Sequence, residues 1–168
     1  MKETGIIRKV DELGRIVLPK EIRKTLGIKD GEDLEIYVKD KTIYLQKYSR
    51  LWGLKDIASY LVDNAKEQMN LDMAISDKEE IIASSDFLQQ GLKLPSSFSK
   101  LLESFEEYES ISEETNFDKT GWWYIKPINI HGDMTGFIIL YNKERILPFM
   151  KSFLSFLEKI IVNKIDIM

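Results

Sequence analysis

The stretch TGIIRKVDELGRIVLPKEIRKTLGI, residues 4–28, decides the fold of the N-terminal part of this chain. Residues 4–10 are rich in β-branched side chains and predict a short strand, and residues 15–18 predict a second strand after an intervening turn. Gly14 lies in the bend, where glycine adopts a positive φ without strain. A side chain at this position would redirect the neighbouring Arg15, so we predict that Gly14 sets the geometry of the turn.

A short helix and a β-hairpin follow this strand pair. Pro19 suits the first position of a helix over residues 20–26, because the N–H that proline lacks would be unpaired there. Gly27 is then placed to end the helix in a left-handed conformation. Residues 34–39 and 42–47 predict two paired strands. A unit of about 50 residues buries little surface by itself, which favours oligomerisation.

The charge of the chain is divided unevenly. The 168 residues carry a net charge of -4, but residues 1–50 contain 12 Lys and Arg against 9 Asp and Glu, a balance of +3. Residues 51–168 have a balance of -7. Opposite signs predict two domains, residues 1–50 and 51–168, with different partners. All of the basic excess lies before residue 25, and its candidate phosphate-binding side chains are Arg8, Lys9, Arg15, Arg23 and Lys24.

The composition excludes several classes of protein. Hydrophobic residues make up 43% and charged residues 31% of the chain, as in ordinary globular proteins. The absence of Cys excludes disulfides, thiol catalysis and thiolate metal sites, and a single His excludes a multi-histidine metal site. No apolar run reaches the roughly 20 residues of a membrane-spanning helix, and no signal peptide is recognisable. We therefore expect no catalytic residue, no metal and no membrane partner.

The N-terminal motifs resemble the AbrB family of transition-state regulators. The resemblance covers residues 4–28 and continues through Gly31-Glu-Asp-Leu34, residues 35–37 and residues 43–48. It implies an α+β protein whose first 50 residues form a swapped-hairpin β-barrel. In this barrel two chains interleave into one domain, and the implied partner is double-stranded DNA.

The same resemblance suggests a role for the basic side chains. In the family, the DNA-facing surface is lined by basic residues at the positions that match Arg8, Lys9, Arg15, Arg23 and Lys24. Related sequences often carry arginine at the position of Lys24. Lysine keeps the charge but loses the bidentate geometry, so a phosphate contact is expected there. Binding through backbone contacts and groove shape predicts a loose consensus sequence. The alternative is a solvated surface with no partner.

Residues 51–168 predict a second α+β domain whose order of elements resembles a GAF domain, although PAS-like sensors share this order. The predicted elements are a helix over residues 51–69, strands over 71–76 and 80–84, a helix over 96–108, a hairpin over 121–130 and 135–141, and a helix over 148–166. No signature of cyclic-nucleotide-binding GAF domains is present. We therefore name no nucleotide ligand. We expect no cofactor, and an unidentified small-molecule effector of the GAF-like domain stays open.

The last predicted helix repeats apolar residues at steps of three and four. This spacing is typical of a helix packed on its own sheet, and also of a helix that dimerises. The residues predicted for self-association, two of them from residues 51–69, are Leu54, Leu61, Met150, Phe153, Leu157 and Ile160. Self-association there would join two N-terminal dimers into a tetramer.

Two further clusters lie in the second domain. Strand alternation sends Trp122 and Tyr124 to one face and Trp123 to the other, so these aromatic residues either fill the core or line a ligand pocket. The glutamates between residues 103 and 114 are typical of a solvated helix face and loop.

Together these features predict a homo-oligomeric, DNA-binding transcription regulator in the cytoplasm, on the nucleoid. The resemblance implies control of late, forespore-stage sporulation genes. Two alternatives stay open. One is an antitoxin, because toxin–antitoxin modules use the same barrel, although a flexible acidic tail usually follows it there. The other is a ligand-sensing module whose N-terminus mainly dimerises. No enzymatic activity is expected.

Overall fold

A computed structural model describes residues 5–104, 106–111, 117 and 119–167. The chain divides into two compact units, Met1–Tyr48 and Ser49–Met168.

The described part of the N-terminal unit contains one short helix, α1 (Lys20–Thr25), whose end is fixed by backbone hydrogen bonds. Gly27 has a φ of 64°, as predicted for a left-handed helix end. The Ile28 N–H donates to the Arg23 carbonyl at 2.8 Å, and the Gly27 N–H donates to Lys24 at 3.3 Å. This pair of bonds is the Schellman motif. Pro19 precedes the first helical residue and does not occupy the first helical position that the sequence predicted, because its ψ of 146° is extended.

A β-hairpin follows, formed by β1 (Leu34–Lys39) and β2 (Thr42–Lys47). Lys39 pairs with Thr42, which leaves Asp40 and Lys41 as a two-residue loop. Both loop residues have positive φ, 50° and 61°, as a type I′ turn requires. The predicted hairpin is confirmed.

The strands predicted over residues 4–10 and 15–18 are wrong for the single chain. Residues 5–10 and 15–18 form no strand, although the Asp11 N–H donates to the Arg15 carbonyl at 3.0 Å across the turn. A strand needs a neighbour for its ladder of hydrogen bonds, and the described part of one chain offers none here. No residue between 5 and 48 is buried. This unit therefore lacks a core of its own.

The C-terminal unit is a five-stranded antiparallel sheet with helices. Its elements, after a 3-10 turn at Trp52–Leu54, are α2 (Lys55–Met69), β3 (Asp72–Asp77), β4 (Ile81–Ser84), α3 (Phe98–Ser104), β5 (Tyr108–Ile111), β6 (Trp122–Ile130), β7 (Asp133–Asn142) and α4 (Pro148–Ile167). The strand order is β4-β3-β7-β6-β5. None of the helices within the described ranges combines the length and apolar character that a membrane crossing requires.

The helix predicted over residues 96–108 is wrong in its last turn. α3 ends at Ser104, and β5 pairs with β6 from Tyr108 opposite Ile125 to Ile111 opposite Trp122. Pairing with a distant strand overrides the local preference of this glutamate-rich segment.

The sheet carries a core on each face. One core includes Tyr124 and the buried sides of α2 and α4, with Trp122 packed at its edge. The other contains Trp123, which has no exposed surface and packs against Phe117 and Tyr141 with ring centroids 4.9 Å away in each case. The predicted alternation of these aromatic side chains is confirmed.

The apolar stripe of the last helix packs mainly on the unit's own sheet. Leu54, Met150 and Leu157 are buried in the core of this unit, and the partly buried members packed against it are Leu61, Phe153 and Ile160. At the last residue of α4, Ile167 is 78% exposed, and earlier in the helix the exposed large apolar side chains are Phe149, 52% exposed, and Phe156, 58% exposed. These two lie seven residues apart and share the outward face of the helix.

Candidate nucleic-acid interface

The turn between the two predicted N-terminal strands is held by one carboxylate. Asp11 Oδ1 accepts hydrogen bonds from the backbone N–H groups of Leu13 at 3.0 Å and Arg15 at 2.8 Å. Asp11 Oδ2 accepts a third from Arg15 Nε at 2.8 Å. Gly14 has a φ of 77°, the conformation predicted for this bend. The turn therefore fixes both the backbone and the side chain of Arg15.

This geometry lowers the pKa of Asp11. The backbone N–H of Arg15 is the largest cause and the Arg15 guanidinium the second, and together they outweigh desolvation. Asp11 is therefore ionised at neutral pH. The Arg15 side chain remains 71% exposed. In the described part of the chain, no hydrogen bond engages its two Nη groups.

The other predicted basic residues also lie at the surface of the N-terminal unit. Arg8, Lys9 and Lys24 are exposed, and Arg23 is half-exposed and paired with Asp30. Within the described ranges, none of these five basic side chains is hydrogen-bonded to another of the five. Such a set of accessible cations on one small unit can contact phosphate groups.

A network of charged side chains in the C-terminal unit was missed by the sequence reasoning, which treated the glutamates as solvated. The Glu107 carboxylate accepts hydrogen bonds from Tyr124 and from Lys126, which is 8% exposed. Lys126 Nζ also lies 3.2 Å from Glu158 Oε2 on α4. Tyr124 and Lys126 lie on the same face of β6, and this spacing was the signal available in the sequence.

The network shifts the pKa values of its members. The hydrogen bond from Lys126 is the main cause that lowers the pKa of Glu107, and Tyr124 adds to it. Burial and the Glu107 carboxylate raise the pKa of Tyr124. Burial alone would lower the pKa of Lys126, but its two carboxylate neighbours outweigh burial and raise it. The network therefore holds its charges at neutral pH.

Replacing Glu107 with glutamine is expected to lower the free energy of unfolding by about 1 kcal/mol at pH 7, because the exposed side of this pair is screened by water. The folded pKa of Glu107 lies below its ordinary value of 4.5. Its contribution is therefore complete above that pH and is lost as the pH falls through the folded value. The difference from the wild type should disappear in acid.

This effect can be measured by urea unfolding followed by tryptophan fluorescence, since the three tryptophans all lie after residue 51. Glu106→Gln is the matched control, because Glu106 is exposed and its carboxylate has no ion pair in the described ranges. Equal stability of the two variants at pH 7 would contradict the prediction.

The predicted ligand-pocket residues do not share one cavity among the described residues. Trp123 belongs to one core and Tyr124 to the other. A cavity of about 470 Å³ lies elsewhere, between α2, β4 and the loop after β4, and it is lined by Ser59, Asp63, Ala83, Ser84, Asp86, Phe87, Leu88, Gln89 and Gln90. A ligand site at Trp122, Trp123 and Tyr124 stays a prediction. In the described ranges, no group of three or more His, Asp or Glu side chains is arranged to hold a metal ion.

Comparisons with known proteins agree on the family. The family described as "Antidote-toxin recognition MazE, bacterial antitoxin" matches residues 7–53. Transition state regulatory protein AbrB of Bacillus subtilis (strain 168) is 65% identical over 94 residues, which cover 55% of this chain and 98% of that protein. Stage V sporulation protein T of the same organism is 33% identical over 159 residues, 88% of each chain. This chain belongs to the AbrB family. The predicted family membership is confirmed.

Two solved structures extend the comparison to the separate parts of this AbrB-family chain. The N-terminal DNA recognition domain of the Bacillus subtilis transition-state regulator AbrB is 63% identical, with a TM-score of 0.26, and the match covers 29% of this chain and 92% of that one. The GAF domain of an Acinetobacter phosphoenolpyruvate-protein phosphotransferase is 15% identical, with a TM-score of 0.53, and the match covers 67% of this chain and 82% of that one. The second likeness confirms the predicted GAF-like fold.

Proposed function

We propose that the chain is a DNA-binding transcriptional regulator of sporulation genes that contacts double-stranded DNA through its N-terminal basic side chains. The observation that carries this proposal is that Arg8, Lys9, Arg15 and Lys24 are exposed and that Arg23 is half-exposed. They lie in a segment that is similar to a solved domain named for DNA recognition. The relative that matches nearly the whole chain is a sporulation protein by name.

The N-terminal unit acts as a homodimer. Its described residues include no buried side chain. Many large apolar side chains of this unit are exposed: Ile6, Ile7, Val10, Leu13, Ile16, Val17, Leu26, Ile36, Tyr37, Val38, Ile43, Tyr44, Leu45 and Tyr48. Burying one such side chain stabilises a protein by roughly 1.5–3 kcal/mol. A second copy that interleaves with the first would bury them in pairs, and would give residues 5–10 and 15–18 the ladder neighbours that one chain lacks.

The C-terminal unit joins two such dimers into a tetramer. The stripe that contains Met150 and Leu157 packs against its own sheet. The outward residues Phe149 and Phe156 form an apolar patch on α4 that is available to a second copy. Linking two DNA-binding dimers raises their avidity by effective concentration. A regulator that binds chromosomal DNA in this way acts in the cytoplasm, on the nucleoid.

Phe156→Asp is expected to convert the tetramer into a dimer, because a carboxylate at the centre of an apolar contact is left without a partner. Analytical ultracentrifugation measures the change. Leu92→Asp is the control, since Leu92 is an apolar side chain, 38% exposed, in the loop after β4 rather than on α4. A tetramer retained by Phe156→Asp would remove this face of α4 from the interface.

An electrophoretic mobility shift assay with promoter fragments of sporulation genes tests the proposed function. We expect a shift with several promoters and a weaker shift with unrelated DNA. No shift with any fragment would favour the sensor module whose N-terminus only dimerises. The match to an antitoxin family supports the antitoxin as the second candidate. The ordered five-stranded unit after the N-terminal domain favours the regulator, and resistance of that unit to limited proteolysis would separate the two.

A further inference from the structure

Asp11 makes more bonds to Arg15 than a surface ion pair needs. One carboxylate oxygen holds the Arg15 backbone N–H at 2.8 Å, and the other holds the Nε of the same residue at 2.8 Å. The Arg15 carbonyl in turn accepts from the Asp11 N–H at 3.0 Å. Asp11 therefore holds Arg15 both at its backbone and at the Nε of its side chain.

The hydrogen bond from Nε leaves the two Nη groups of the Arg15 guanidinium available to a ligand. An arginine that binds phosphate bidentately presents N–H groups in a fixed planar fork. With Nε engaged by Asp11, the plane of the guanidinium is set, while the Nη groups remain exposed with 71% of the side chain. A free arginine would lose rotamer freedom when it binds, and a side chain held in advance loses less.

The neighbouring residue shows that the position of the carboxylate matters. Glu12 is exposed in the same turn, and its carboxylate has no hydrogen bond or ion pair among the described residues. A carboxylate next to a DNA-binding surface repels phosphate, so it weakens binding unless it contributes something else. Asp11 has such a contribution, and Glu12 has none among the residues that the structure describes.

We propose that Asp11 is a positioning residue, which presents the Arg15 guanidinium to a DNA phosphate or base edge although its own charge opposes binding. This inference rests on the proposed DNA binding. It deepens that proposal by adding an acidic residue to a surface that the sequence defined by its cations alone.

Asp11→Asn is the decisive variant, measured as the dissociation constant for a promoter fragment with the full chain. Asparagine keeps one oxygen to accept from the Leu13 and Arg15 backbone N–H groups, and it cannot also accept from Nε. We expect Asp11→Asn to weaken binding by about three- to tenfold, although it makes the surface more basic. The matched variant Glu12→Gln has the same change of charge in the same turn and should bind as tightly as the wild type or more tightly.

A second measurement separates positioning from a structural role in the turn. In an Arg15→Lys background there is no Nε, so the further change Asp11→Asn should cost no affinity. An equal loss in both backgrounds would mean that Asp11 acts through the fold of the turn, and would overturn the inference. Asp11→Asn that binds as tightly as Glu12→Gln would also overturn it. A wild-type protein that binds no DNA would instead overturn the proposed function.

Discussion

We expect Arg15→Ala to remove most of the affinity for promoter DNA and to leave the fold and the oligomeric state intact. The Arg15 side chain is 71% exposed and belongs to neither of the hydrophobic cores, so its removal leaves no cavity. Asp11 keeps its two hydrogen bonds to backbone N–H groups in the variant, which preserves the turn. Each copy in the proposed oligomer loses the same guanidinium, and a loss repeated in every copy multiplies in the binding constant.

The measurement is an electrophoretic mobility shift titration at about 50 mM salt, where phosphate contacts are strong. We expect a loss of affinity of about thirtyfold or more, given one to three kcal/mol for each well-placed arginine and two copies in a dimer. Lys143→Ala is the matched control, because it also removes one exposed positive charge, from the C-terminal unit. Wild-type affinity in Arg15→Ala would exclude Arg15 from the interface.

The elements that the sequence predicted well are those set by neighbours along the chain. The two positive φ values at Asp40 and Lys41 make a tight turn, and this turn fixes the register of β1 on β2. Gly27 ends α1 through bonds that reach back no more than five residues. Periodicity placed the buried face of α2, where Val62 has no exposed surface. Local geometry settles such elements, so a pattern of residues is enough to predict them.

Distant partners set the elements that the sequence predicted wrongly. Tyr108–Ile111 is a strand because β6 lies beside it, and no residue pattern within this segment predicts the pairing. Lys126 is buried because Glu107 and Glu158 reach it from a loop and from α4. Residues 5–10 and 15–18 form no strand because their ladder of hydrogen bonds needs neighbours that the described part of one chain does not offer.

The candidate interface could be predicted by residue type but not by arrangement. The resemblance to the AbrB family pointed to the cations of residues 1–24, and all five predicted residues lie at the surface. The sequence did not predict that Asp11 holds Arg15 or that Asp30 pairs with Arg23. Both pairs depend on the path of the backbone between residues four and seven positions apart. In a net-charge count, Asp11 and Asp30 only reduce the positive total of residues 1–50. In the structure, each of them pairs with an arginine.

These acid partners bear on a second large effect, the dependence of DNA binding on salt. Neutralising Z phosphates releases counterions, and the logarithm of the binding constant falls with the logarithm of salt at a slope of about -0.9Z. The five candidate cations occur twice in a dimer. If six to ten of them contact phosphate, affinity should fall by roughly a thousandfold to a hundred-thousandfold between 50 and 200 mM salt.

The ion pairs in the free protein bring the expected number of cations in contact with phosphate toward six in a dimer. Arg15 and Arg23 already pair with Asp11 and Asp30, so part of their charge is neutralised before DNA arrives. Arg8, Lys9 and Lys24 have no ion pair in the described ranges and should release counterions fully. Lys24→Ala should therefore reduce the slope by about two for a dimer. Asp30→Asn should leave the slope equal to that of the wild type or steeper, because it frees Arg23.

Dissociation constants at four or five salt concentrations give the slope, and sedimentation at the same concentrations provides the control. In the proposed dimer the subunits are held together by burial of apolar surface, an interaction that does not weaken with salt, so the oligomer should persist through the titration. A flat salt profile with an intact oligomer would contradict phosphate binding by these cations. A steep profile that Lys24→Ala leaves unchanged would move the contact to other basic residues of the chain.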